Sequence, residues 1–130
     1  MVFKSGVIQA VKGFKKSFPY KVGRESRELG MRKLIECLAD IYQISPVFLM
    51  FINPEREHSF DSCVIPSKKL IVMDGKLSII TLLHEFAHIR GMNEEQAREW
   101  SVELFKRCYP NTVLMPYGTS YVSEEVVCQN

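Results

Sequence analysis

His84 and His88 stand four residues apart with Glu85 beside the first, in the run His84-Glu85-Phe86-Ala87-His88. On an α-helix each residue advances by about 100°, so the two imidazoles lie about 40° apart, one turn up the same face. From there both rings can reach a single Zn²⁺ at about 2.0–2.1 Å while the helix stays regular. Glu85 falls at the edge of that face, where it can touch a water on the metal without filling a coordination position. Zinc lowers the pKa of such a water to roughly 7, and a neighbouring carboxylate can take its proton as the water attacks a carbonyl. The plainer reading is a buried helix whose histidines hydrogen-bond to neighbours. Against it, two of the 3 histidines in the chain share one helical turn with an acid between them.

Residues 77–89 contain neither Gly nor Pro and are apolar nearly all round, which predicts a buried helix. Leu77, Ile80, Thr81, Ala87 and the two histidines share one side of it. Ile79, Leu82, Leu83, Phe86 and Ile89 pack on the other. Asp74 and Gly75 supply turn chemistry ahead of this helix, and Gly91 is placed to end it in a left-handed conformation.

A catalytic zinc normally has three protein ligands and one open position, so a third ligand must come from beyond the turn. Asn93-Glu94-Glu95-Gln96 reads as a helix start, with Asn at the cap and Gln three residues later. The helix that follows runs to about Cys108, and Ala97, Trp100, Ser101, Leu104, Phe105 and Cys108 form its apolar stripe. With Ala97 at zero, the stripe centres near 20°, Glu94 lies at about 60° and Glu95 at about 160°. Glu94 is thus the acid on the buried side and the expected third ligand, with Glu95 as the alternative. The plainer account is that both acids only complement the helix N-terminus.

These residues resemble known families. The histidine-glutamate motif with a downstream Glu is similar to the zincin metallopeptidases of the gluzincin type. Glu94, Ala97, Trp100 and Ser101 resemble the positions that follow the motif in ImmA/IrrE-like metallopeptidases, small intracellular proteins associated with cleaving repressor-type proteins. The loop between the two helices is shorter here than is usual in that group. A second resemblance is to the metzincins. Residues 84–94 read H-E-x-x-H-x-x-G-x-x-E, with Glu where that clan usually has a third His, and residues 113–117 are similar to its methionine turn. That resemblance would put Met115 beneath the metal and let Tyr117 stabilise an oxyanion; the plainer reading of Met115 is a core residue in a loop. Both resemblances cover roughly the second half of the chain, and both choose Glu94.

A length of 130 residues suits one domain spanning 1–130, and 46% hydrophobic with 25% charged residues is an ordinary globular balance. No apolar run approaches the ~18 residues needed to cross a bilayer, and the lysine-studded N-terminus lacks the apolar core of a secretory signal. Cys37, Cys63, Cys108 and Cys128 lie far apart with no C-x-x-C pair, and read as free thiols of a reducing compartment. A cytoplasmic protein that does not enter membranes is expected. The net charge of +2 hides an asymmetry, because residues 1–33 carry nine Lys or Arg against two Glu. A solvated basic helix accounts for it; a nucleic-acid partner is the sharper alternative, since Phe3, Phe14, Phe18 and Tyr20 are interleaved with the lysines.

Val7, Ile8, Val11 and Phe14 predict a short helix ending before Pro19. Met31, Leu34, Ile35, Leu38, Ile41 and Tyr42 predict a second over about 25–43. Residues 47–52 read as a buried strand, 60–65 as a second and 69–73 as a third, followed by helices at 76–90 and 94–108 and a tail containing Pro and Gly. The expected fold is α+β: a small zincin-like domain with an N-terminal helix, about three strands, then a metal-binding helix and its partner. The zincin resemblance implies that an edge strand pairs with extended substrate. His58, Tyr117 and Tyr121 are candidate transition-state donors, and Arg90 a candidate carboxylate binder.

The expected activity is a zinc-dependent peptidase on protein or peptide substrates, with His84, His88 and Glu94 holding the metal and Glu85 as general base. The alternative is a non-enzymatic metal-binding module whose basic N-terminal third binds a partner.

Overall fold

The computed structural model describes residues 1–19, 22–55, 62–112, 115–117 and 120–122, the last two stretches as backbone only. Helix α1 spans Val7–Ser17 and buries Val7, Val11 and Phe14, the period of an amphipathic helix. Helix α2 spans Arg24–Ile41 and buries Met31, Leu34, Ile35, Leu38 and Ala39. The two helices pack closely. At Gly30 an added Cβ would lie 2.5 Å from the Phe18 ring, so only glycine lets that ring cross the helix backbone.

Three strands follow: β1 (Phe48–Ile52), β2 (Cys63–Ile65) and β3 (Leu70–Asp74). Their order is β1-β3-β2, which leaves β1 and β2 at the edges. β1 runs parallel to β3, with Phe48 opposite Leu70 and Ile52 opposite Asp74. β2 runs antiparallel to it, with Cys63 opposite Val72. A 3-10 turn at Pro66–Lys68 and a left-handed Lys69 reverse the chain between β2 and β3. Helices α3 (Ile79–Ile89) and α4 (Glu94–Cys108) come next, and a separate antiparallel pair, β4 (Met115–Tyr117) and β5 (Ser120–Val122), closes the chain. The fold is therefore α+β, a small three-stranded mixed sheet with four helices among the described residues.

The boundaries differ from the sequence reading in instructive ways. The strand expected to be buried over 47–52 is covered on one face only: Leu49 is 7% exposed, whereas Phe48 and Met50 are 55% and 47% exposed. An unbroken apolar run reads as doubly buried, but among the described residues no helix covers the outer face of the sheet. Helix α3 starts at Ile79 rather than 76, because Asp74 still belongs to β3 and Ser78 provides the cap. No helix among the described residues is long and apolar enough to cross a membrane.

The core forms where α3 lies between the sheet and the other helices. Ile79, Leu82, Leu83, Phe86 and Ala87 are all fully buried. Phe86 meets Trp100 of α4 at 6.2 Å between centroids and Tyr42, just past α2, at 6.0 Å. Burying a side chain of this size contributes roughly 2–3 kcal/mol, so α3 is held as the central rod of the domain. Lys15 of α1 donates to the Cys108 carbonyl at 2.9 Å, closing the far end of α4. A rigid α3 matters because the candidate chemistry sits on its one partly open stripe.

Candidate metal centre

Helix α3 begins with Ser78, whose hydroxyl accepts from the Thr81 amide at 3.2 Å. It ends just before Gly91, whose φ of 92° is the left-handed stop that the sequence calls for. The Met92 amide then donates back to the Ala87 carbonyl at 3.1 Å, folding the chain tightly against the last turn. Asn93 opens α4 with a complete capping box: its Oδ1 accepts from the Gln96 amide at 2.8 Å, and its own amide donates to Gln96 Oε1 at 3.0 Å. These two caps set the angle between the helices. They put Glu94, the first residue of α4, opposite the last turn of α3.

Three side-chain atoms converge there. The Nε2 atoms of His84 and His88 are 3.3 Å apart. Glu94 Oε1 lies 3.0 Å from the first and 2.9 Å from the second. His88 Nδ1 lies 3.0 Å from the Met92 carbonyl oxygen, which can only accept, so the ring donates from Nδ1. In neutral His88 the Nε2 lone pair must then point at a carboxylate oxygen and a second imidazole. Lone pairs so close repel unless a hydrogen or a metal ion lies between them: either the rings carry Nε2–H groups that donate, or all three atoms turn toward one metal ion. In a tetrahedral site with bonds of about 2.0–2.1 Å the ligand atoms are about 3.3–3.4 Å apart. The observed separations are at or a few tenths of an ångström below that. The residues present therefore fit a divalent ion with nitrogen and oxygen ligands, and the Met92 carbonyl is the outer partner that fixes the tautomer of His88.

Protonation favours the same assignment. Burial is the chief cause that lowers the His84 pKa, and it outweighs the pull of Glu94, leaving the neutral ring that a metal requires. For Glu94 burial pushes upward, but the hydrogen bonds and charges of His84 and His88 together hold the carboxyl below its ordinary value. Its other oxygen lies 3.6 Å from Arg98 Nη2, one turn along α4. Glu85 differs from both. It is 8% exposed, and burial raises its pKa from 4.5 to about 7, against the charge of His88 and helped by that of Glu94. A coordinating-type atom from each of His84, Glu85 and His88 lies within 4.8 Å of the others, so Glu85 borders the point where the rings converge.

The structure brings together His84, Glu85, His88 and Glu94. Glu94 is less enclosed than the helical wheel suggests: its side chain is 61% exposed, because it sits on the first turn of α4, where the turn from α3 leaves one side open. Glu95 is exposed, and it is the Glu94 carboxylate that meets both imidazoles. His58 and the side chains of Met115, Tyr117 and Tyr121 lie outside the described residues. Two contributors to the site are not singled out by the sequence reading. Arg98 was legible as an (i, i+4) partner of Glu94, whereas the Met92 carbonyl leaves no signal in the residue pattern. Cys37 and Cys63 are exposed free thiols and Cys108 is a buried one. Comparison with protein-family models, curated proteins and solved structures finds no match to this chain.

Proposed function

We propose that the chain is a zinc-dependent peptidase whose centre is held by His84, His88 and Glu94, with Glu85 as general base. The convergence of three atoms able to ligate a metal, at near-tetrahedral separations, carries this reading. A zinc ion held there would supply a Lewis acid for the scissile carbonyl and a water of lowered pKa. Glu85 accepts the proton of the attacking water and returns it to the leaving amine, a role suited to a carboxyl whose pKa burial has moved close to neutrality. Arg98 restrains the outer oxygen of Glu94, so that the inner oxygen stays on the two rings. The outer edge of β2, next to α3, has no strand paired to it among the described residues, and an extended peptide adds there as a further strand. Exposed free thiols at Cys37 and Cys63 favour a reducing, intracellular setting.

The openness of the site favours this reading over a structural metal site. Structural zinc is fully enclosed by protein ligands, whereas Glu94 stands 61% exposed on one side of this cluster. The test is elemental analysis of the purified protein alongside two variants, with cleavage of a quenched-fluorescent peptide library as second readout. About one zinc per chain is expected, lost in His88→Ala and retained in Glu85→Gln, with turnover absent from both. Turnover surviving in Glu85→Gln would remove the general base from the scheme. Zinc binding without cleavage by the unsubstituted chain would point instead to a metal-binding module.

A further inference from the structure

Against the turn from α3 to α4 lies an open cavity of about 600 Å³, within the range of small-ligand sites. Arg90, Lys4 and Glu99 line it together with Tyr42, Met92 and Trp100. The Arg90 guanidinium stacks on the Tyr42 ring at 3.8 Å and lies 5.3 Å from the Trp100 ring. Lys4 stands 5.5 Å from the same Tyr42 ring. Among the described residues Arg90 has no carboxylate partner, and its one side-chain hydrogen-bond contact is a 4.0 Å approach to the Met92 sulfur. Stacking holds the plane of this guanidinium, and among the described residues its N–H groups meet no oxygen acceptor. A guanidinium fixed in that way is matched to a two-oxygen anionic group, and Lys4 lines the same cavity as a second positive charge. The basic first third of the chain adds a favourable field for anions.

We propose that this cavity binds a small ligand carrying a carboxylate or phosphate group, gripped by Arg90 and assisted by Lys4. None of His84, Glu85, His88 and Glu94 lines this cavity, which shares only the turn residue Met92 with the metal centre, and the proposal does not depend on peptidase activity. Trp100 is the single tryptophan of the chain, so its fluorescence reports occupancy directly. The test titrates the metal-free protein with succinate and with inorganic phosphate at constant ionic strength, using chloride as the control. A saturable change with one or both oxyanions and none with chloride is expected, and the stronger of the two identifies the source chemistry. Arg90→Gln should weaken binding by roughly ten-fold or more, and Arg90→Lys by several-fold, because charge without the planar fork is a poorer match. Glu99→Gln, at an exposed position, should tighten it by removing the carboxylate that opposes the anion. A response shared with chloride, or one unchanged in both Arg90→Gln and Glu99→Gln, would overturn the proposal.

Discussion

Glu85 joins the two halves of the candidate chemistry, and its burial has a consequence for stability that is separate from catalysis. Its folded pKa of about 7 lies above the ordinary 4.5, so folding favours the neutral acid. Stability from this group is full below the unfolded pKa and is lost as pH rises through the folded one. The size is about 3 kcal/mol at pH 8, since each tenfold change in proton affinity corresponds to roughly 1.4 kcal/mol. Metal-free Glu85→Gln should therefore be more stable than the native chain at pH 8, with the gap closing toward pH 4; urea melts at the two values measure it. An equal difference at both would mean that Glu85 is not held neutral by burial. Added metal should shrink the gap, because a nearby cation stabilises the ionised carboxylate that glutamine lacks. At this scale the sequence was informative. The four-residue spacing of His84 and His88 is a property of the helix itself, so their approach to 3.3 Å follows from local geometry. The exposure of Glu94 does not, because a helical wheel carries no record of where the neighbouring helix ends.

The turn between α3 and α4 decides whether these residues meet, and its chemistry is concentrated in Gly91 and Asn93. An added Cβ at Gly91 would have nothing within 4 Å, so Gly91→Ala carries no clash and only the cost of a left-handed backbone. That cost is about 1 kcal/mol. Asn93→Ala removes the acceptor for the Gln96 amide and should cost a further amount of about 1 kcal/mol. Both changes should weaken metal binding as well as stability, because Glu94 follows the cap directly. Isothermal titration with zinc beside thermal melts separates the two effects; full stability loss with unaltered zinc affinity would show that the cap does not position Glu94. The capping box and the extent of α4 were legible because both depend on residues adjacent in sequence, Asn93 with Gln96 and the stripe from Ala97 to Cys108. The start of α3 was not. Asp74 and Gly75 carry stronger turn chemistry than Ser78, yet pairing with β1 holds Asp74 in the sheet.

Across the whole molecule, the arrangement of the sheet lay beyond what the sequence could specify. Three apolar runs announce three strands, but which one lies in the middle depends on pairings between residues distant in the chain, as Phe48 with Leu70 shows. Placing β3 centrally puts Ile71 and Met73 under the helical layer and fixes the end of the chain that leads into α3. It also leaves Phe48, Met50, Ile52 and Ile65 exposed on the other face. This alternation makes the register of β1 directly testable, because a slip of one residue would exchange its two faces. Leu49 is 7% exposed and Met50 is 47% exposed. Leu49→Ala leaves a cavity in the core and should cost about 2–4 kcal/mol, whereas Met50→Ala removes a side chain already half in water and should cost less than about 1 kcal/mol. Denaturant melts of the two neighbours give the comparison. Were Met50→Ala the more damaging, β1 would present its other face to α2 and the inward line from Leu49 to Ile71 would be wrong. The sheet would then no longer support α3 where both histidines face Glu94.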